Sequence, residues 1–95
     1  PTDDITVDVY RYARRADVRQ TRQYYRSQWR DADQRNDNDF WRFGEGSKEG
    51  SYFSFVRSGY ATLYWDWDRP GCNCFAIANG YDTTLAQMDR WWASQ

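Results

Sequence analysis

Aliphatic side chains are too scarce in this chain to build its core. Leu63 and Leu85 are the only leucines and Ile5 and Ile77 the only isoleucines, against six Trp, eight Tyr and five Phe in 95 residues. A core must therefore be assembled from rings, and each buried ring removes enough surface from water for a few to hold a small domain. The length is that of one domain, residues 1–95, with two layers and one modest core.

The order of elements follows from periodicity and turn chemistry. Ile5, Val7 and Val9 alternate with Thr6, Asp8 and Tyr10, as in a half-buried strand. Residues 14–32 hold no Gly or Pro and are rich in Arg, Gln and Ala, which predicts a helix. From Arg22 to Arg30 the chain also alternates, so a strand is the second reading there. Residues 33–51 read as a connection. Asp33, Asn36, Asp37, Asn38 and Asp39 form a polar turn, Gly44, Gly46 and Gly50 a flexible link, and Phe40-Trp41-Arg42-Phe43 a tack onto the core.

A hairpin is expected next, Tyr52–Arg57 and Tyr60–Trp67 about Ser58-Gly59, with Phe53, Phe55, Ala61, Leu63, Trp65 and Trp67 as its core face. Arg69-Pro70-Gly71 then turns into a third strand, Cys72–Ala78, closed by Asn79-Gly80. Thr84 and Gln87 make a capping box that opens a C-terminal helix, where Leu85, Met88 and Trp92 share a face and Trp91 lies to the side. The expected class is α+β in the order β-α-loop-β-β-β-α. It is an antiparallel sheet of three to four strands with two helices on one face.

The most regular chemical pattern is a run of arginines. Arg15, Arg19, Arg22, Arg26 and Arg30 fall within about 80° on a helix, bordered by Val18, Tyr25 and Trp29. Within 15–30 the only acidic residue is Asp17, on the opposite side, so like charges repel unless something anionic binds. If residues 22–30 were a strand, the face would shrink to Arg22, Tyr24, Arg26 and Arg30. The net charge of −1 argues against a general polyanion binder, yet residues 10–43 carry +4 and the remainder −5.

Catalysis is poorly served. Without His the commonest general base is missing, and neither a Ser-His nor a Cys-His pair can form. Gly44-Glu45-Gly46 is too short for a phosphate loop. Asp66 and Asp68 lie on one side of a strand end, where solvated carboxylates are the ordinary explanation and a glycan-cleaving pair the rarer one. The Asp33–Asp39 cluster fails the EF-hand spacing, because Asn38 and Gly44 stand where Gly and Glu are needed. Cys72 and Cys74 are expected to be reduced and partly buried, with a redox or inter-subunit role as the alternative. Two Cys and no His cannot make an ordinary zinc site, so no metal or cofactor is expected.

Trp, Tyr and Arg, the residue types enriched at interface hot spots, total 26 of 95 residues. The expected function is a small non-catalytic protein-binding module, an inhibitor or adaptor of the size of phage host-factor inhibitors. It would dock an acidic protein surface through Arg15, Arg19, Arg22, Tyr24, Arg26, Trp29 and Arg30. The first alternative is single-stranded DNA or RNA bound on the same face. The second is a sugar stacked on Trp65 and Trp67, which are more readily explained as core. No apolar run spans a membrane and no signal-peptide pattern opens the chain. With Pro1 as the residue left after removal of an initiator Met, a cytoplasmic protein is expected.

Overall fold

The computed structural model describes residues 5–42, 48–68 and 71–94. Its elements are β1 (Ile5–Arg11), α1 (Arg15–Arg30), β2 (Gln34–Arg42), β3 (Lys48–Arg57), β4 (Tyr60–Asp66), β5 (Cys74–Tyr81) and α2 (Leu85–Ala93). The five strands form one antiparallel sheet in the order β1-β5-β4-β3-β2. The domain is α+β as expected, but with five strands in place of three to four.

The additional strand is β2, which lies in the segment expected to be a connection. Its backbone pairs with the outer edge of β3, and the register slips between Asn36 and Asp39 and again between Trp41 and Arg42. Asp and Asn are poor strand residues, but a waiting edge with unpaired backbone groups outweighs that preference. Trp41 tacks the strand down as the sequence suggests, stacking edge-on against Trp67 and Trp92. Phe43, Gly44, Gly46, Arg69 and Pro70 lie outside the described residues.

The hairpin turns at Ser58-Gly59, both with positive φ, at 51° and 77°. That primed geometry matches the twist of the strands. It pairs Val56 with Ala61 and Phe55 with Thr62, so Phe53 and Phe55 share a face with Tyr64, and Leu63 and Trp65 share the other with Tyr52. The expected single core face thus mixed residues from two faces. Both are buried, because the helices cover opposite sides of the sheet and not one. Under α1 lie Val18, Phe53, Phe55, Tyr64, Phe75 and Ile77, with Tyr25 and Trp29 at the margin. Under α2 lie Tyr52, Leu63, Trp65, Ala76, Ala78 and Met88, with Trp41, Trp67, Trp91 and Trp92 packed around them. Trp65 and Trp67 therefore belong to the core cluster.

The last strand is displaced from its expected position. Cys72 and Asn73 form the turn before it, and Asn79-Gly80 continues it, because Ile5 and Thr6 of β1 pair there. The chain reverses at Asp82, whose φ is 53°. Cys72 and Cys74 are joined as a disulfide across Asn73 (φ 48°), with Cα atoms 5.2 Å apart. That separation lies within the span a disulfide bridges, and it replaces the expected pair of free thiols. At α2 the capping box is complete: the Thr84 hydroxyl accepts from Gln87 N (3.1 Å) and Gln87 Oε1 from Thr84 N (2.8 Å).

Gly50, expected in a flexible link, is buried in β3. A Cβ there would run into the backbone carbonyl of Asp66 and crowd the Trp41 indole nitrogen. At Gly59 a Cβ would meet open space, and only the positive φ matters. Gly50→Ala is expected to cost about 1–3 kcal/mol by overpacking. Gly59→Ala should cost about 1 kcal/mol through backbone strain alone. Urea unfolding of the two variants checks the order.

Candidate binding surface

Helix α1 forms over the residues expected, so the arginine stripe exists, but much of it faces the sheet. Arg22 Nε donates to Asp66 Oδ2 at 2.9 Å. The same carboxylate accepts from the Tyr64 hydroxyl (2.6 Å) and from Ser51 N (2.8 Å), and it is fully buried. The carbonyl of Asp66 accepts the Trp41 indole N–H at 2.7 Å. Arg15 donates to the Trp67 carbonyl (2.6 Å) and pairs with Asp68. The Arg26 guanidinium lies 4.5 Å from the Phe53 ring centroid and 4.6 Å from that of Trp29. Trp29 in turn donates its indole N–H to the Asn36 carbonyl at 2.9 Å, with Arg35 over its ring.

Arg15, Arg22, Arg26 and Trp29 are thus engaged within the fold, while Arg19, Tyr24 and Arg30 are exposed. The expected shortage of carboxylate partners held only along the helix itself. Asp66 and Asp68 reach the stripe from β4 and the turn after it, 44 and 53 residues away from their arginines. Asp66 is consequently not the solvated strand end anticipated.

Burial, reinforced by Asp66, raises the Tyr64 hydroxyl well above the ordinary tyrosine range. Burial disfavours charge on Arg22, but Asp66 and Tyr64 outweigh it and leave the guanidinium above its usual value. A second carboxylate, Asp89 on α2, accepts from Asn36 Nδ2 (2.9 Å), Tyr52 OH (3.2 Å) and Ser54 Oγ (3.3 Å), and so fastens α2 to β2 and β3.

A surface of which the sequence singled out only Tyr24 is made of tyrosines. Tyr10, Tyr12, Tyr24, Tyr60 and Tyr81 are all exposed, Tyr24 by 60% and Tyr81 by 77%. They are contiguous. One open groove of about 430 Å³ runs among Tyr10, Tyr12, Tyr24, Tyr25, Gln20 and Phe75. A second of about 470 Å³ continues past Tyr24 to Tyr25, Gln28, Arg57 and Tyr60. The Tyr60 and Tyr81 rings meet edge to face at 5.5 Å. This ridge-and-groove surface lies along the flank of α1, where Phe75 and Ile77 of β5 are still covered and the edge strand β1 is not. Its signal in the sequence was the spacing of Tyr10 and Tyr12 two residues apart, of which only Tyr10 entered the strand pattern.

Compared with protein-family models, curated proteins and solved structures, the chain matches none. Among the described residues no three His, Cys, Asp or Glu side chains converge as a metal site, and no helix is long and apolar enough to cross a membrane.

Charge reversal at the expected binding face becomes a test of the fold. Arg22→Glu with Arg26→Glu would set a carboxylate beside buried Asp66, and Arg22→Ala alone should cost about 3–5 kcal/mol by leaving that charge uncompensated. Circular dichroism with urea titration should show this. Stability should also fall in alkali. The unfolded tyrosine loses its proton near pH 10 while Tyr64 keeps it, so the folded state is fully favoured below that pH. It loses about 1.4 kcal/mol per pH unit above it. Tyr64→Phe should remove that share of the alkaline loss while lowering neutral-pH stability by about 1–3 kcal/mol.

Proposed function

We propose that this chain is a small non-catalytic protein-binding module whose docking surface is the tyrosine flank of α1 and β1, with the arginine stripe serving mainly to hold the helix down. The observation that carries this reading is the continuous exposure of Tyr10, Tyr12, Tyr24, Tyr60 and Tyr81 around two open grooves. Tyrosine offers a large rigid ring with a polar tip, so it gains contact area at low entropic cost and still satisfies its hydroxyl at a wet rim. The grooves are shallow and polar-edged, the form of a protein contact more than of a small-molecule pocket.

Arg57 at the rim, with Arg19 and Arg30 exposed elsewhere on α1, keeps an acidic partner surface chemically suitable. An inhibitor or adaptor role is consistent with this size and surface. The expected cytoplasmic setting sits against the Cys72–Cys74 disulfide, since disulfides persist mainly in oxidising compartments.

Single-stranded nucleic acid remains the second reading, because exposed tyrosines beside Tyr10, which stacks on Phe75 at 4.9 Å, present faces to bases. Sugar binding has weaker support, with Trp65 buried and Trp67 packed against Trp41 and Trp65.

Capture of partners from a host lysate by immobilised protein separates these readings. Tyr24→Ser with Tyr60→Ser, both at exposed sites, is expected to abolish capture of a saturable protein partner while leaving the circular dichroism unchanged. Arg19→Glu with Arg30→Glu should weaken capture only a few-fold. Unchanged capture by the tyrosine variant would refute the reading. Tight oligonucleotide binding that collapses with salt would favour nucleic acid.

A further inference from the structure

We propose that the free edge of β1 captures an extended segment of a protein partner as a sixth, antiparallel strand, the segment offering a basic side chain to Asp8 and a carboxylate to Arg11. The inference rests on the protein-binding reading above and assigns it a mode of recognition.

The first observation is the direction of the backbone groups. Tyr12 N donates to the Asn73 carbonyl at 2.8 Å, in line with the β1–β5 register that pairs Tyr10 with Phe75 and Asp8 with Ile77. Backbone groups alternate sides along a strand, so Thr6, Asp8 and Tyr10 spend theirs on β5. Among the described residues, Ile5, Val7, Val9 and Arg11 turn theirs outward, toward no strand of the sheet. They form a regular row, because β1 runs without a bulge. The opposite edge differs: β2 is broken by two register shifts, a common way of blunting an edge.

The second observation is that β1 is bare. Every residue of the strand except Ile5 is exposed, and Val9 reaches 66%. Both helices lie chiefly over β3 and β4, so neither covers Val7 and Val9 on one face or Asp8 and Tyr10 on the other. An unprotected, strand-prone edge flanked by exposed valines is a template for another strand.

The third observation selects the occupant. Pairing β1 with a second copy over its full length would set Asp8 directly opposite the other copy's Asp8, and like charges facing each other across strands are destabilising. The same carboxylate is an attractive position for a Lys or Arg on a foreign strand, beside the Tyr10 ring. On the other face Val7, Val9 and Arg11 ask for apolar, apolar and acidic neighbours. The complementary antiparallel sequence is therefore acidic, polar, apolar, basic, apolar.

The test uses the whole chain and a labelled blocked peptide, acetyl-Glu-Thr-Val-Lys-Val-Thr-Val-amide, followed by fluorescence anisotropy. Saturable binding is expected. Methylating the backbone nitrogen of the Val placed opposite Val9 should weaken it at least tenfold with every side chain unchanged. Asp8→Lys should weaken it at least tenfold, and a peptide with Glu in place of its Lys should recover most of the loss, a rescue that unfolding cannot imitate. Val9→Pro should abolish binding with circular dichroism unchanged, since that N–H points away from β5. Equal binding of the N-methylated peptide, or no saturable binding at millimolar peptide, would overturn the inference. So would a sedimenting dimer that Val9→Pro dissociates, because the edge would then belong to a second copy. If the peptide fails while the tyrosine variant still loses capture, strand addition falls and the protein-binding reading stands.

Discussion

The buried carboxylate of Asp66 is the point on which the rest of the structure depends. A charge in an apolar interior is tolerated only when its lone pairs are satisfied, and here each donor comes from a different element. Arg22 brings α1, Ser51 brings β3, and Tyr64 comes from β4 itself. One peptide group away, the carbonyl of the same residue receives Trp41 from β2, over a position where only Gly50 fits. A single residue at the end of β4 thus sets the docking of a helix, the spacing of two strands and the anchorage of an edge. The electrostatic term is not the main source of stability, because a buried ion pair roughly repays its desolvation. Its role is to specify one arrangement, since any other leaves a charge without its donors.

Around that point the aromatic residues divide by chemistry. Five of the six tryptophans gather under α2, where their area compensates for the lack of leucine. Phe53, Phe55 and Phe75 lie under α1, which has few apolar residues of its own and covers them with arginine. A guanidinium is planar and weakly hydrated, so Arg26 can rest on Phe53 and Trp29 as an apolar residue would while keeping its charge. Tyr52 and Tyr64 are buried with their hydroxyls on carboxylates, whereas Tyr10, Tyr12, Tyr24, Tyr60 and Tyr81 lie at the surface, where a ring with a hydroxyl can remain half in water. A surface suited to contact is the result of this sorting, and it lies beside β1, the edge strand that the helices leave exposed.

Much of the fold was legible because it is written in short-range patterns. The Ser58-Gly59 turn, the Thr84–Gln87 capping box and the helical stretch at 15–30 each depend on residues within a few positions of one another. β2 was not legible, because Asn36 and Asp39 have no strand preference and pair only once β3 offers an edge. The assignment of hairpin faces went astray for a related reason: register depends on which residues oppose each other across the turn, and both faces are apolar here, so alternation carried no contrast. For the candidate site, the arginines were correctly placed on one helical arc, but their partners could not be read. Asp66 and Asp68 look like a polar strand end until the sheet brings them under α1.

The sequence by itself determined the composition of the core, the order of most elements and the existence of an arginine arc, because these follow from residue type and local spacing. The tertiary structure decided which side of that arc meets water. It also decided which carboxylates neutralise it, which tyrosines remain exposed and which strand is left with a free edge. Those are outcomes of long-range pairing. They depend on how one sheet with two buried faces shares its coverage between two short helices, and that geometry has no counterpart in the spacing of residues along the chain.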